Sequence, residues 1–563
     1  MTSLPLRTLL LGLAVSALTG FAVSAQKISL NVDDYQHAFE GGGSSIPLYL
    51  FNHFTLPPAG QQEALDLIVR DLNLRYLQDY PEFRPDDPTK ADYWSRRAEY
   101  YRSAQAIDST VQIVLVGNKF PADLMTTVDV NGTATRALDT DRDSIYWEVA
   151  RWYFDILTYY KERGVDTDVL NVVNEPDFDK QYYYGHDGAN KFAVAQLFTE
   201  CLDALGSLID SAALNPLGIE MPLIMGPSTI GPGGARDYVA TFKADYPEAW
   251  ANIDILGYHQ YTGGTSTNLL FLEDAAEGRP LHMNEMHTNR GDDLAALSQL
   301  TVNHRGVLSL AQTFGAAVRR GTNAWYYFLN VFPGEQKNPG LLRIDQGFER
   351  PIPYKHYYAY KQLTSAQPAG SRVITRDLAS IRREAEVLAF RPEGVDTAYV
   401  HFANFTGTPR RITTECLDDR GDAYRVSGYT QVVTDGSRDE VEVGPGTFPQ
   451  ASDSLAFAFV APPYSLSTVT VAFRAFSGLS PKPAAHALLT AVQVGQALHV
   501  RFAGSQNLSR VQLFDAAGRL AHAQRVDAAH VELDVRDLPA GAYFLVSELT
   551  DGSVVRAPCT VTR

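Results

Sequence analysis

The sequence predicts an α/β protein: a (β/α)8 barrel, then a β-sandwich, then a small immunoglobulin-like β domain. Three observations lead there. Between Ala38 and Phe328, eight short apolar runs are mostly separated by segments of helical periodicity, the pattern of repeated right-handed βαβ units. Eight such units close a barrel. After Ser371 the helical period disappears, and short alternating runs broken by Gly, Asp and Pro take its place. A Ser/Pro/Gly linker, Ser477–Ala485, then separates a last stretch of strand-turn-strand character. The expected boundaries are a leader at 1–25, the barrel at 26–365, the sandwich at 366–475, the linker at 476–485 and the terminal domain at 486–563. An open doubly wound sheet is the rival, but it commonly carries a nucleotide fingerprint. Gly41–Gly43 lacks the lysine and serine of a phosphate loop.

Lys27–Asp34 alternates as a strand, and glycine-dense Ala38–Ser45 opens the barrel. Gln61–Arg70 carries Ala64, Leu65, Leu67, Ile68 and Val69 at helical spacing. Leu72–Leu77 reads as the second barrel strand, delivering Arg75 and then Asp79 and Tyr80. Tyr93–Ala106 is helical, and Val111–Val116 is a buried strand running into Gly117–Pro121. Ile145, Val149, Trp152, Ile156 and Tyr160 define the clearest helix, with Asp143 or Ser144 to cap its start and Gly164 its end. The fourth strand, Asp168–Glu175, is apolar at Val169, Leu170, Val172 and Val173 and stops at Asn174-Glu175-Pro176, because Pro176 has no N–H for a ladder. A tyrosine-rich loop, Gln181–His186, and a helix, Ala189–Leu208, come next. Strands Pro222–Met225, Ile253–Gly257, Pro280–Met283 and Ala324–Phe328 complete the eight, with helices at Arg236–Phe242 and Leu294–Val318.

Composition narrows the function. Of 563 residues, 45% are hydrophobic and 20% charged, as in globular proteins. A net charge of −17 and a pI near 5.2 argue against nucleic acid and anionic membranes as partners. Arg7, the apolar run Leu9–Val23 and the small residues Val23-Ser24-Ala25 make a secretory leader cut before Gln26. That run is short for a bilayer span, and no later segment reads as a span. Cys201, Cys416 and Cys559 fit no metal motif and are too few for a disulfide scaffold. We expect a monomer, without cofactor.

Barrel chemistry sits where the strands end. Glu175 ends the fourth strand, and Glu285 comes just after the seventh. The triplet Asn174-Glu175-Pro176 resembles the acid/base signature of clan A glycoside hydrolases. Phe39-Glu40-Gly41-Gly42-Gly43 loosely resembles the opening strand of that clan's glucosylceramidase/xylanase-type branch. Tyr354–Arg372 resembles the branch's barrel-to-sandwich junction, and Pro463–Val469 its final strand. The resemblance implies a retaining hydrolase of a β-linked polysaccharide or oligosaccharide. Glu175 would then be the acid/base and Glu285 the nucleophile. Asn174 would hold the sugar's 2-hydroxyl, and His259 and Tyr261 would touch nucleophile and substrate. Retaining chemistry needs the two carboxyls about 5–5.5 Å apart, one protonated and one ionised.

Three further residues are candidates. Arg75 is placed to orient Glu285 and keep it ionised, an ordinary salt bridge being the alternative. Trp325 reads as a sugar platform or an apolar barrel layer, and Tyr183, within Tyr182–Tyr184, as a subsite residue. His259, His282, His287 and Glu285 lie close in sequence, but without a His-Glu-x-x-His pattern we expect no metal. No Gly-x-Ser-x-Gly elbow suggests serine hydrolysis. An agarase or porphyranase-type endo-hydrolase of algal galactans is a rival, permitted by Gly370-Ser371-Arg372-Val373. A non-catalytic surface carbohydrate-binding protein is another, opposed by the presence of both glutamates. Finally, Val511–Phe514 with its Asp515–Arg519 turn, and Leu538–Phe544, resemble the C-terminal sorting domain of the type IX secretion system of Bacteroidetes-type bacteria. This implies a bacterial protein exported by that machinery, secreted or attached to the cell surface.

Overall fold

The computed structural model describes residues 24–46, 50–130, 133–178, 190–262, 266–288, 307–334, 339–376, 384–443, 455–474, 489–494, 496–502, 507–515, 520–550 and 554–562. Residues 1–23 of the expected leader, Tyr183 and its loop, and the expected linker lie outside them, while Ser24 and Ala25 begin a strand.

Eight parallel strands close a barrel. We number them β1 (Gly41–Ser45), β2 (Tyr76–Asp79), β3 (Gln112–Val116), β4 (Val169–Asn171), β5 (Leu223–Thr229), β6 (Ile255–His259), β7 (Leu281–Met286) and β8 (Thr322–Phe328). β8 pairs with β1 and shuts the cylinder. Side chains of alternating parity fill the interior, among them Val114, Val169, Met225, Ile255, Ala324 and Tyr326. The opposite parity packs outward on the helices. Glycine in β1 has a steric cause, since a Cβ on Gly43 would stand 2.6 Å from the Tyr326 ring. The helix Ile145–Lys161 buries Val149, Trp152, Ile156 and Tyr160 on one stripe, as its spacing requires. Met125–Val130 and Thr133–Leu138 form a hairpin that we did not anticipate, although Asn131-Gly132 is a hairpin-turn pair.

Two expectations change. The stretch Lys191–Asp210 is long and apolar enough by composition to cross a membrane. Its Leu197, Phe198, Leu205 and Leu208 instead pack in the barrel's outer core. The N-terminal strand, grouped with the barrel from sequence, spans Ser24–Phe39 and belongs to the sandwich. It pairs antiparallel with Ser371–Arg376 and parallel with Arg410–Leu417. Nine strands make one continuous sheet that folds over itself, so that Tyr429 Oη donates to the carbonyl of Ala458 at 2.8 Å. Ile28, Leu30, Val400, Phe402, Phe459 and Val471 fill the space between its faces.

The chain from Ala475 to Arg563 forms a separate compact unit. It contains a three-stranded and a four-stranded sheet around Leu498, Val500, Leu513, Leu533 and Leu545. All three cysteines of the chain are buried and unbridged.

Candidate active site

Short backbone irregularities at the C-terminal ends of the strands aim the carboxylates. β4 stops at Asn171, and a few residues later Glu175 adopts φ +46°, a left-handed conformation rare outside glycine. Preceding a proline makes that geometry still less favourable. It is held from both sides: the Glu175 N–H donates to Ser228 O at 2.9 Å, and the Phe178 N–H donates to Glu175 O at 2.9 Å. Two residues on, Asp177 Oδ1 accepts from the Ile230 N–H at 2.8 Å, tying the loop after β4 to the one after β5. Burial pushes the Asp177 carboxyl up.

In β7 the ladder slips against both neighbours between Met283 and Met286. A bulge of this kind re-aims the side chains around it. Met283 and Met286 pack in the outer core, while Asn284 and Glu285 face inward. The Asn284 amide donates to Ser228 Oγ at 3.0 Å, and Ser228 also meets the Asn171 side chain at 2.8 Å. This buried relay locks β4, β5 and β7 to one another directly beneath the carboxylates.

The two glutamates converge. An oxygen of Glu175, an oxygen of Glu285 and a nitrogen of His259 lie within 4.8 Å of one another. His259 Nδ1 is 3.0 Å from Glu175 Oε1 and 3.9 Å from Glu285 Oε1. Tyr261 Oη donates to Glu285 Oε1 at 3.1 Å, and Tyr80 Oη donates to Glu285 Oε2 at 2.6 Å. The side chains remain reachable, Glu175 at 16% and Glu285 at 8% exposure. Asn174, buried beside Glu175, donates to Asn118 Oδ1 at 3.3 Å.

Electrostatics separate the groups. Burial pushes the Glu285 carboxyl up, and the Glu175 charge adds to the push; His259, Tyr80 and Tyr261 oppose it without cancelling it. Burial disfavours the His259 imidazolium, but the Glu285 and Glu175 charges outweigh burial and raise its pKa. His287, packed on Tyr261 and Phe328, is pushed down to about 4 by burial and stays neutral. Burial and the Glu285 charge keep both tyrosine hydroxyls protonated.

Of the residues expected from sequence, the structure brings Glu175, Glu285, His259, Tyr261 and Asn174 to this mouth. Arg75 is not with them. β2 begins only at Tyr76, so Arg75 lies at the N-terminal end of the barrel. There it lines a cavity of about 490 Å³ with Glu40, Tyr76 and His282. His282 belongs to that end too, its Nε2 lying 3.3 Å from Glu40 Oε2. Trp325 is fully buried on the outer face of β8 among Phe314, Tyr327 and Tyr360, so it is an apolar layer and not a sugar platform. Sequence reasoning gave no role to Tyr80, Asp177 or Ser228. For Tyr80 the signal was its position, one residue past a barrel strand.

The cluster can act in two ways. Two carboxylates this close can share a proton and flank one glycosidic bond. One histidine and two carboxylates can also ligate a divalent cation.

No protein-family model matches the chain, and no curated protein matches it in sequence. Solved structures match it in fold. One is a GH30 endoxylanase from Clostridium papyrosolvens C71, at 17% identity and TM-score 0.59, covering 79% of this chain and 100% of that one. A conserved exported protein from Bacteroides fragilis aligns at 12% identity and TM-score 0.60, with 79% and 100% covered. An endo-β1,6-glucanase aligns at 15% identity and TM-score 0.55, with 79% and 94% covered. At these identities the likeness shows the fold: a (β/α)8 barrel of the kind these glycoside hydrolases carry.

Proposed function

We propose that this chain is a retaining glycoside hydrolase that cleaves β-linked glycans by double displacement. The observation that carries the reading is the convergence of Glu175 and Glu285 from β4 and β7, with oxygens within 4.8 Å, at the end of the barrel where chemistry is found. A gap of this size suits a covalent intermediate. In the first step a Glu285 oxygen attacks the anomeric carbon. The glycosidic C–O bond breaks, and its electron pair goes to the departing oxygen, which takes the Glu175 proton. In the second step water attacks the same carbon and gives a proton to Glu175, and the bond to Glu285 breaks to restore the carboxylate. In this reading Asn174 holds the 2-hydroxyl. His259 keeps Glu175 oriented, and the two tyrosines carry the charge of Glu285.

A reducing-sugar screen with the purified protein tests this, with xylans and β1,6-glucans at the head of the panel because neighbours of this fold act on them. Algal galactans test the agarase-type alternative. The first anomer released, read by proton NMR, should be β; an α product ends the proposal. Binding without hydrolysis would favour the non-catalytic reading. Activity should survive a chelator, whereas a rate that tracks added divalent metal would turn the same three side chains into a cation site.

We also infer export. The leader motif and the strand-turn-strand motifs of the terminal domain support secretion by the type IX machinery. Removing residues 486–563 in a bacterium that has this machinery should leave the protein inside the envelope; unchanged secretion would end the inference.

A further inference from the structure

Glu285 must carry a negative charge in a buried place, and its charge is met there mainly by hydroxyl donors. Among the described residues, no lysine or arginine pairs with it, and His259 Nδ1 stands 3.9 Å away. Among the described residues, the titratable groups that face it are Glu175 from the β4 end, His259 and Tyr261 from the β6 end, and Tyr80 from the β2 end. The shortest contact is with Tyr80, at 2.6 Å.

Tyr80 has a second neighbour. Its Oη also lies 3.3 Å from Gln78 Oε1, and Gln78 is only 1% exposed. A phenol has one proton, so it serves one acceptor at a time. The shorter, charge-assisted contact with Glu285 takes it at rest.

Resting on the double-displacement reading, we infer that Tyr80 is a positioning residue that stabilises Glu285 as a free carboxylate and turns its hydroxyl to Gln78 when Glu285 carries the sugar. The chemistry sets the direction. Attack converts the carboxylate into a neutral ester, a poorer acceptor. A buried hydroxyl left without an acceptor would be costly, and Gln78 Oε1 is there to take it. When water releases the sugar, the electron pair of the breaking bond returns to Glu285, and Tyr80 donates to it again. Tyr80 therefore makes Glu285 a better leaving group in the second step, at some expense to its nucleophilicity in the first.

The test is Tyr80→Phe, which keeps the ring and its edge contact with Phe328. One readout needs no substrate. In protein labelled with 13C at the glutamate carboxyls, the signal missing from Glu285→Gln identifies Glu285. Its titration midpoint should move upward by about one to two pH units in Tyr80→Phe. An unmoved midpoint overturns the inference. The second readout is kinetic, using 2,4-dinitrophenyl glycosides of xylobiose and gentiobiose. In the variant kcat should fall roughly 10- to 100-fold with a burst of dinitrophenol, while kcat/KM changes little. Equal falls in both constants would overturn it. A moved midpoint in a parent protein that hydrolyses nothing would sink the hydrolase proposal and leave the Tyr80–Glu285 coupling standing; an active parent with an unmoved midpoint would do the reverse.

Discussion

Replacing Glu175 by Gln removes one transferable proton and leaves almost everything else. The amide oxygen can still accept from His259 Nδ1, and the backbone contact with Ser228 O is untouched. The size of the effect is set by the leaving group. A sugar hydroxyl needs protonation as it departs, so kcat/KM on an unactivated oligosaccharide should fall about 10²- to 10⁴-fold. Dinitrophenolate needs no proton, and its release should slow by less than roughly tenfold. The second step loses its base for either substrate, so the glycosyl-enzyme accumulates with the dinitrophenyl glycoside, whose first step stays fast. Azide needs no base and should restore turnover, giving a β-glycosyl azide; removing the Glu175 charge also lowers the barrier to an anion entering beside Glu285. With no proton to lose at position 175, the basic limb of the pH profile should disappear, while the acidic limb, which reports ionisation of Glu285, remains. Initial rates on both leaving groups, with and without azide, decide the matter. Equal losses on both and no azide product would refute the assignment of Glu175 as the acid.

Three other outcomes are expected. Glu285→Gln should raise the melting temperature by a few degrees at neutral pH, with the gain fading as the pH falls towards the ordinary carboxylate range. A carboxyl raised in the fold stabilises below its unfolded pKa and loses that contribution as pH climbs through the folded one, so a pH-independent gain would contradict the strain on Glu285. Gly117→Ala puts a Cβ 2.1 Å from Tyr153 Oη and 2.4 Å from Val172 O, and should cost about 1–3 kcal/mol in denaturant unfolding. Trp325→Ala should cost about 3–5 kcal/mol with KM unchanged wherever the variant stays folded; a raised KM with full stability would return Trp325 to the substrate site.

Periodicity was enough to read the barrel and the two strands that deliver the glutamates, because buried parallel strands and amphipathic helices leave strong apolar patterns. Strand ends and parity were not legible. Asn73 takes φ +49° and carries the turn out of the preceding helix, so β2 starts later than the apolar residues Leu72 and Leu74 suggest. That delay moves Arg75 to the other end of the barrel. In β8, Ala324-Trp325-Tyr326-Tyr327-Phe328 is apolar on both faces, so nothing in the sequence says which side looks inward, and a slip of one residue exchanges them. Tyr80 escaped notice because its role arises from a partner, Glu285, far away in sequence.

The strand Ser24–Phe39 has a consequence for how the protein is made. Ile28 leaves the ribosome early, yet its partner in the sheet, Thr414, emerges only after the entire cylinder has been translated. The segment must wait for Ser371–Arg376 and then for Arg410–Leu417, and pairings of such long range are slow to form. Cutting the gene at the end of the cylinder would strand this segment without neighbours, so the barrel and the sandwich should be expressed and engineered as one piece.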